Sequence, residues 1–214
     1  MGIGGSTTND GGVGMLQALG CGFYDRNGLS IPFGASGLAD LGHISEQDVL
    51  PELSECEFLI ACDVKNPLCG ELGASAVFGH QKEARQEMVM QMDKWLQNYA
   101  SIANNLYPNA DSNAAGCGAA GGMGFALLTF ANVCLESGID IVIEETALED
   151  KLKAADFVIT GEGRLDGQTV MGKVPSGVAN LAKKYSIAVI AFAGSVGEDT
   201  TKCNEKSIEA FSPH

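Results

Sequence analysis

The chain has 214 residues and sets 27 Asp and Glu against 13 Lys and Arg, a formal charge of −14. That excess repels nucleic acid and anionic lipid, so neither is an expected partner, and an anionic substrate would need cations gathered locally. Hydrophobic residues make up 45% with a mean hydropathy of +0.09. No apolar run approaches the ~20 residues of a membrane-spanning helix, so no membrane association is expected.

Seven Cys occur, Cys21, Cys56, Cys62, Cys69, Cys117, Cys134 and Cys203, with no C-x-x-C pair. Several sit in apolar runs, where Cys behaves as a small hydrophobe. They read as reduced thiols, which sets the expected compartment as the cytoplasm. His43, His80 and His214 lie far apart and give a zinc site no spacing support.

In chain order, residues 2–14 form a glycine-rich loop leading into a short helix at Met15–Leu19, ended by Gly20. Only Ile3 remains of a strand that would precede this loop, so N-terminal material is expected to be missing. Residues 21–57 are turn-rich. Phe58–Cys62 is a buried-type strand running into Asp63 and Asn66. Residues 86–106 carry Met88, Met92, Trp95, Leu96, Tyr99, Ile102, Ala103 and Leu106 at helical spacing, a stripe that reads as core. Gly116–Gly124 is a second glycine loop, followed by an apolar stretch to Leu135. Ile139–Ile143 alternates and predicts a strand ending in Glu144 and Glu145; residues 146–155 predict a short helix. Phe157–Thr160 and Ala188–Ala193 are apolar strands joined by a helix over Pro175–Tyr185, which implies parallel pairing with a crossover. Ile208–Phe211 starts a further strand. The pattern is an α/β fold.

Between the strand at 157–160 and that helix runs Gly161-Glu162-Gly163-Arg164-Leu165-Asp166-Gly167-Gln168-Thr169, then Gly172-Lys173. Carboxylates and cations in a glycine-rich loop after a strand suit phosphoryl transfer: the acids hold Mg²⁺ or take a proton, the cations hold phosphate. Gly167–Lys173 fits G-x-x-x-x-G-K, but Val174 stands where the nucleotide-binding motif needs Ser or Thr. Gly116–Gly121 fits G-x-G-x-x-G with Asp140 some way on, yet no strand precedes it, which argues against dinucleotide binding and an NAD-dependent dehydrogenase. In the first loop, Gly4, Gly5, Ser6, Asn9 and Asp10 suit a small polyhydroxy acid or a phosphate; equally, Asn9 or Asp10 caps the following helix.

Four blocks, GIGGSTTNDGGVGMLQALG, ACDVKNPLCGELGASAVFGHQK, GCGAAGGMGFAL and DFVITGEGRLDGQTVMGKVPSGVANLAK, together resemble the bacterial-type (type I) glycerate kinases. The resemblance runs from Gly2 to about Gly197. It implies ATP-dependent phosphorylation of D-glycerate with Mg²⁺ to give 2-phosphoglycerate, and a two-domain fold in which a second α/β domain is inserted into a Rossmann-like one. On that model residues 1–153 are the inserted domain and 154–214 part of the Rossmann-like one. Members of the family are longer at both ends, so the chain is expected to be a fragment. A homodimer is carried as the expected assembly.

Residue type and placement then give the roles. Asp166 accepts or orients the substrate hydroxyl proton, with Arg164 and Lys173 neutralising the transferred phosphoryl group or the substrate carboxylate. Asp63 and Glu162 are the Mg²⁺ candidates. Gly4, Gly5, Ser6, Asn9, Asp10, Asn66 and Gln168 are the substrate- and phosphate-binding candidates. The rival expectation is a module that binds an organic acid or nucleotide without turnover.

Overall fold

The computed structural model describes residues 1–165, 174–196 and 210–213. Backbone contacts divide the chain into two compact units, Met1–Leu135 and Glu136–His214. The first contains α1 (Val13–Ala18), β1 (Gly22–Asp25), β2 (Leu41–Ser45), β3 (Phe58–Ala61), α2 (Ala74–Phe78), α3 (Gln86–Leu106), α4 (Ala119–Phe130) and β4 (Val133–Glu136), with a 3₁₀ turn at His80–Lys82.

Helix α3 organises this unit. Val89, Met92, Leu96, Tyr99, Ala100 and Ala103 are buried along one stripe, while Met88 and Leu106, at its ends, project past the core and stay about half exposed. Tyr99 sits at the centre, edge-on to Phe125 at 5.2 Å and to Phe23 at 6.0 Å. Its hydroxyl is buried with no hydrogen-bond partner among the described residues. An unpaired buried hydroxyl is unfavourable by roughly 1–3 kcal/mol, whereas an apolar replacement of the same shape removes the penalty. Tyr99→Phe is therefore expected to melt at the wild-type temperature or above it; a clear loss of stability would reveal a partner for the hydroxyl.

Strands β1 and β2 pair antiparallel, and β3 pairs with β4. Met1–Ile3 runs parallel to β3: the Ile3 N–H donates to the Ala61 carbonyl (3.1 Å) and the Ala61 N–H to the Met1 carbonyl (2.7 Å). The glycine loop and the Asp63–Pro67 segment thus leave the same end of two parallel neighbours, the end where α/β sheets receive ligands.

The second unit contains α5 (Gly138–Glu145), α6 (Leu148–Leu152), β5 (Phe157–Leu165), α7 (Val174–Lys184), β6 (Ala188–Val196) and β7 (Ala210–Pro213). The three strands form one parallel sheet, β5-β6-β7. Pro175 enters α7 in its first turn, where the missing N–H costs no hydrogen bond. Buried Ala179 and Ala182 of α7 meet Val189, Ala191 and Ala193 of β6. The alternate residues Phe157, Ile159 and Phe192 are 56%, 58% and 43% exposed, so the two faces of the sheet are unequally covered within this unit.

Two predicted elements are corrected. Ile139–Ile143 is helical, not a strand, and Glu144 and Glu145 end that helix. Ser137 caps α5, accepting from the Asp140 N–H (3.2 Å) and donating to its carboxylate (2.6 Å). Buried Ile139 then lies against Gly177 of α7 so closely that a Cβ there would stand 2.5 Å from its side chain. Strand β5 also runs on through Leu165 instead of ending at Thr160, because Gly161–Leu165 stays in register with Phe192–Val196. Helices α5 and α6 pack on α7, so the contact boundary falls ahead of the expected division after residue 153.

Burial pushes the thiols of Cys69 and Cys117 up to about 12 and that of Cys21 to about 11. Because the thiolate is the nucleophile, brief alkylation of the native chain at pH 8 should spare these three and modify exposed Cys56. Peptide mass spectrometry reads the outcome; early labelling of Cys69 or Cys117 would contradict this packing. Among the described residues no helix is long and apolar enough to cross a membrane.

Candidate functional site

Four loops of the first unit converge at the end of β3. The first, Gly4–Gly12, turns through left-handed glycines at Gly5, Gly11 and Gly12. Asp10 accepts the N–H of Gly12 and of Gly14, each at 3.1 Å, so its two carboxylate oxygens cap the start of α1. Asn9 is buried and donates to Ser75 Oγ at 2.8 Å and to Met92 Sδ at 3.4 Å, pinning the loop to α2 and α3.

The second loop, Gly116–Gly122, lies directly on the first. Ala120, Gly121 and Gly122 take positive φ in succession (49°, 70° and 96°). A Cβ on Gly121 would stand 2.1 Å from the Thr8 carbonyl, and one on Gly122 2.7 Å from the Gly11 Cα. The Gly11 N–H donates to the Gly121 carbonyl at 2.9 Å. These glycines bring two main chains together, the close backbone approach that only Gly permits. The G-x-G-x-x-G spelling therefore reflects packing, and Asp140 lies in the first turn of α5, bonded to its cap Ser137.

The third loop carries exposed Asp63 and half-buried Asn66. Asn66 donates from Nδ2 to the Leu72 carbonyl at 2.9 Å, and its own carbonyl accepts the Gly118 N–H at 2.9 Å. The fourth is the turn at His80–Lys82. Lys82 Nζ reaches back to Ser6 Oγ (3.2 Å) and to the Thr8 carbonyl. Burial lowers its pKa, and the negative charge of Asp10 partly offsets that. A pocket of about 90 Å³ opens between these loops, lined by Gly4, Gly5, Ser6, Gln81, Lys82 and Gly121 over apolar Ile3, Val64 and Phe78. Sequence reasoning missed Lys82. Its only signal was position, at the end of the ACDVKNPLCGELGASAVFGHQK block.

In the second unit, Glu162 is half-buried in β5 opposite Ala193, and Arg164 is a strand residue opposite Ser195. Asp166, Gln168 and Lys173 lie outside the described residues. Among those described, no three His, Cys, Asp or Glu cluster as a metal cage. Mg²⁺ carried on nucleotide phosphates requires only one or two carboxylates, so Asp63 of the first unit and Glu162 of the second each fit, taken singly, as a candidate donor by their chemistry.

Residues 1–214 match the model of the glycerate kinase family. The glycerate kinase of Haemophilus influenzae is 50% identical over 213 residues, covering 100% of this chain and 56% of that protein. The glycerate 2-kinase of Escherichia coli is 46% identical over 210 residues, covering 98% and 55%. A crystal structure from Salmonella typhimurium LT2, of a protein assigned as glycerate kinase 2, superposes with a TM-score of 0.81 at 45% identity, covering 96% of this chain and 60% of that one. The chain thus spans about half the length of the curated relatives it matches. By the match along its whole length, by identity to these relatives and by shared fold, the chain belongs to the glycerate kinase family.

Proposed function

We propose that this chain carries the glycerate-binding loops, and part of the phosphoryl-transfer machinery, of an enzyme that phosphorylates D-glycerate from ATP to 2-phosphoglycerate. The observation that carries the reading is the convergence of four loops, each from a block shared with the glycerate kinases, on one small pocket with a half-buried lysine. We assign the Met1–Leu135 unit to the inserted domain of the family fold and Glu136–His214 to the Rossmann-like one, in a cytoplasmic protein.

In the reaction the substrate hydroxyl oxygen bonds to the γ-phosphorus, the bond to the bridging oxygen breaks, and ADP leaves. Asp166 takes the hydroxyl proton. Arg164 and Lys173 neutralise charge on the transferred group, while Gly4, Gly5, Ser6, Asn66 and Gln168 orient glycerate and phosphate. Asn9 and Asp10 hold the glycine loop in shape for that contact. Asp63 and Glu162, each taken singly, are the candidate donors for Mg²⁺, which would supply neutralisation of the phosphate oxygens. ³¹P NMR of the product tests the regiochemistry: a 2-phosphoglycerate resonance is expected, and a 3-phosphoglycerate resonance alone would refute it.

One observation favours a second reading. The relatives are nearly twice as long, so residues outside this chain could supply groups needed for turnover. The 214 residues alone would then bind glycerate without transferring phosphate, and calorimetry with D-glycerate would show binding while no ADP formed.

A further inference from the structure

We propose that Lys82 and the segment Gly4–Ser6 form a subsite for one small anion, either the carboxylate of a hydroxy acid or a phosphoryl group. Three independent observations carry this. Lys82 is a half-buried cation whose acceptors, Ser6 Oγ and the Thr8 carbonyl, are both neutral, so one of its three donors is left for a ligand. Its charge is half-buried, with the Asp10 carboxylate near enough to act on it but joined to it by no described salt bridge.

The second observation is a glycine that packing does not require. Gly11, Gly12, Gly121 and Gly122 all have positive φ and neighbours within 3.0 Å of a built Cβ. Gly4 has neither: its φ is not left-handed, and a Cβ there would meet nothing within 4 Å. It lines the pocket with open space around it, so its main chain is accessible to a ligand. Third, no acceptor in the described chain takes the N–H groups of Gly4, Gly5 or Ser6, and successive free N–H groups beside a cation suit an anion. The pocket's volume of about 90 Å³ is far below the ~300–1,000 Å³ of sites for drug-sized ligands, which favours a small anion over a nucleotide.

The inference leans on the glycerate reading only for the choice of ligand. Its test titrates the ¹⁵N-labelled 214-residue chain separately with D-glycerate, inorganic phosphate and glycerol, following the amides of Gly4, Gly5, Ser6 and Lys82. At least one anion should move these signals and glycerol should not; which anion acts identifies the carboxylate or the phosphoryl source. Lys82→Met should raise the Kd about tenfold or more. Gly4→Ala should also weaken binding while melting as wild type, which keeps the test valid if Lys82→Met folds poorly. Unchanged affinity in a folded Lys82→Met, or no movement with either anion, overturns the subsite. Signals that move with inorganic phosphate but not with D-glycerate would refute the glycerate reading and leave the subsite standing. Turnover with an unchanged glycerate KM in Lys82→Met would do the reverse.

Discussion

Gly121→Ala is expected to destabilise the Met1–Leu135 unit by roughly 2–5 kcal/mol, a large part of the ~5–15 kcal/mol that holds a typical domain together. Two penalties add. Gly121 has φ +70°, a conformation that disfavours a Cβ, and that Cβ would lie 2.1 Å from the Thr8 carbonyl, a main-chain atom. Relief requires the two glycine loops to separate, stretching the Gly11–Gly121 hydrogen bond and shifting the segment that carries Ser6 and Asn9. Trp95, the only Trp, packs against the core of this unit and reports its urea transition by fluorescence. Gly4→Ala is the matched control and should stay within about 0.5 kcal/mol of wild type. A Gly121→Ala transition as close as that to wild type would show that the loops do not depend on this contact.

Asp166→Asn is expected to lower glycerate-dependent turnover by about 10²–10⁴-fold, the usual contribution of a positioned general base. Asn keeps the size and much of the hydrogen bonding of Asp and removes the basic oxygen, so circular dichroism and melting should hardly change. Phosphoryl transfer relies on positioning and charge neutralisation, which is why a residual rate is expected and not complete silence. Activity within about tenfold of wild type would remove Asp166 from the mechanism and pass its role to another acid.

Elements whose signal is local were legible in the sequence. The α3 stripe follows from three- and four-residue apolar spacing, and β5–α7–β6 from two apolar runs flanking an amphipathic stretch that begins at Pro175. Helix α5 was not, because Ile139-Asp140-Ile141-Val142-Ile143 alternates as a strand does and is β-branched. Packing of Ile139 on Gly177 and the Ser137–Asp140 cap override that preference. The Ser-x-x-Asp spacing was the sign available in the sequence.

The candidate site was legible in part for the same reason. Glycine-rich loops announce themselves by composition, but nothing local says that Gly121 lies on Thr8, or whether Asp10 caps a helix or meets a ligand. Lys82 belongs to a short turn without periodicity and acquires meaning only from Ser6 and Thr8, more than 70 residues away in the chain.

The most direct test of the central claim is a coupled ADP-release assay on the purified 214-residue chain with ATP and Mg²⁺, run with and without D-glycerate. The account predicts ADP release that requires D-glycerate and is lost in Asp166→Asn. A folded chain that releases no ADP in response to D-glycerate and shows no binding of D-glycerate by calorimetry would contradict it.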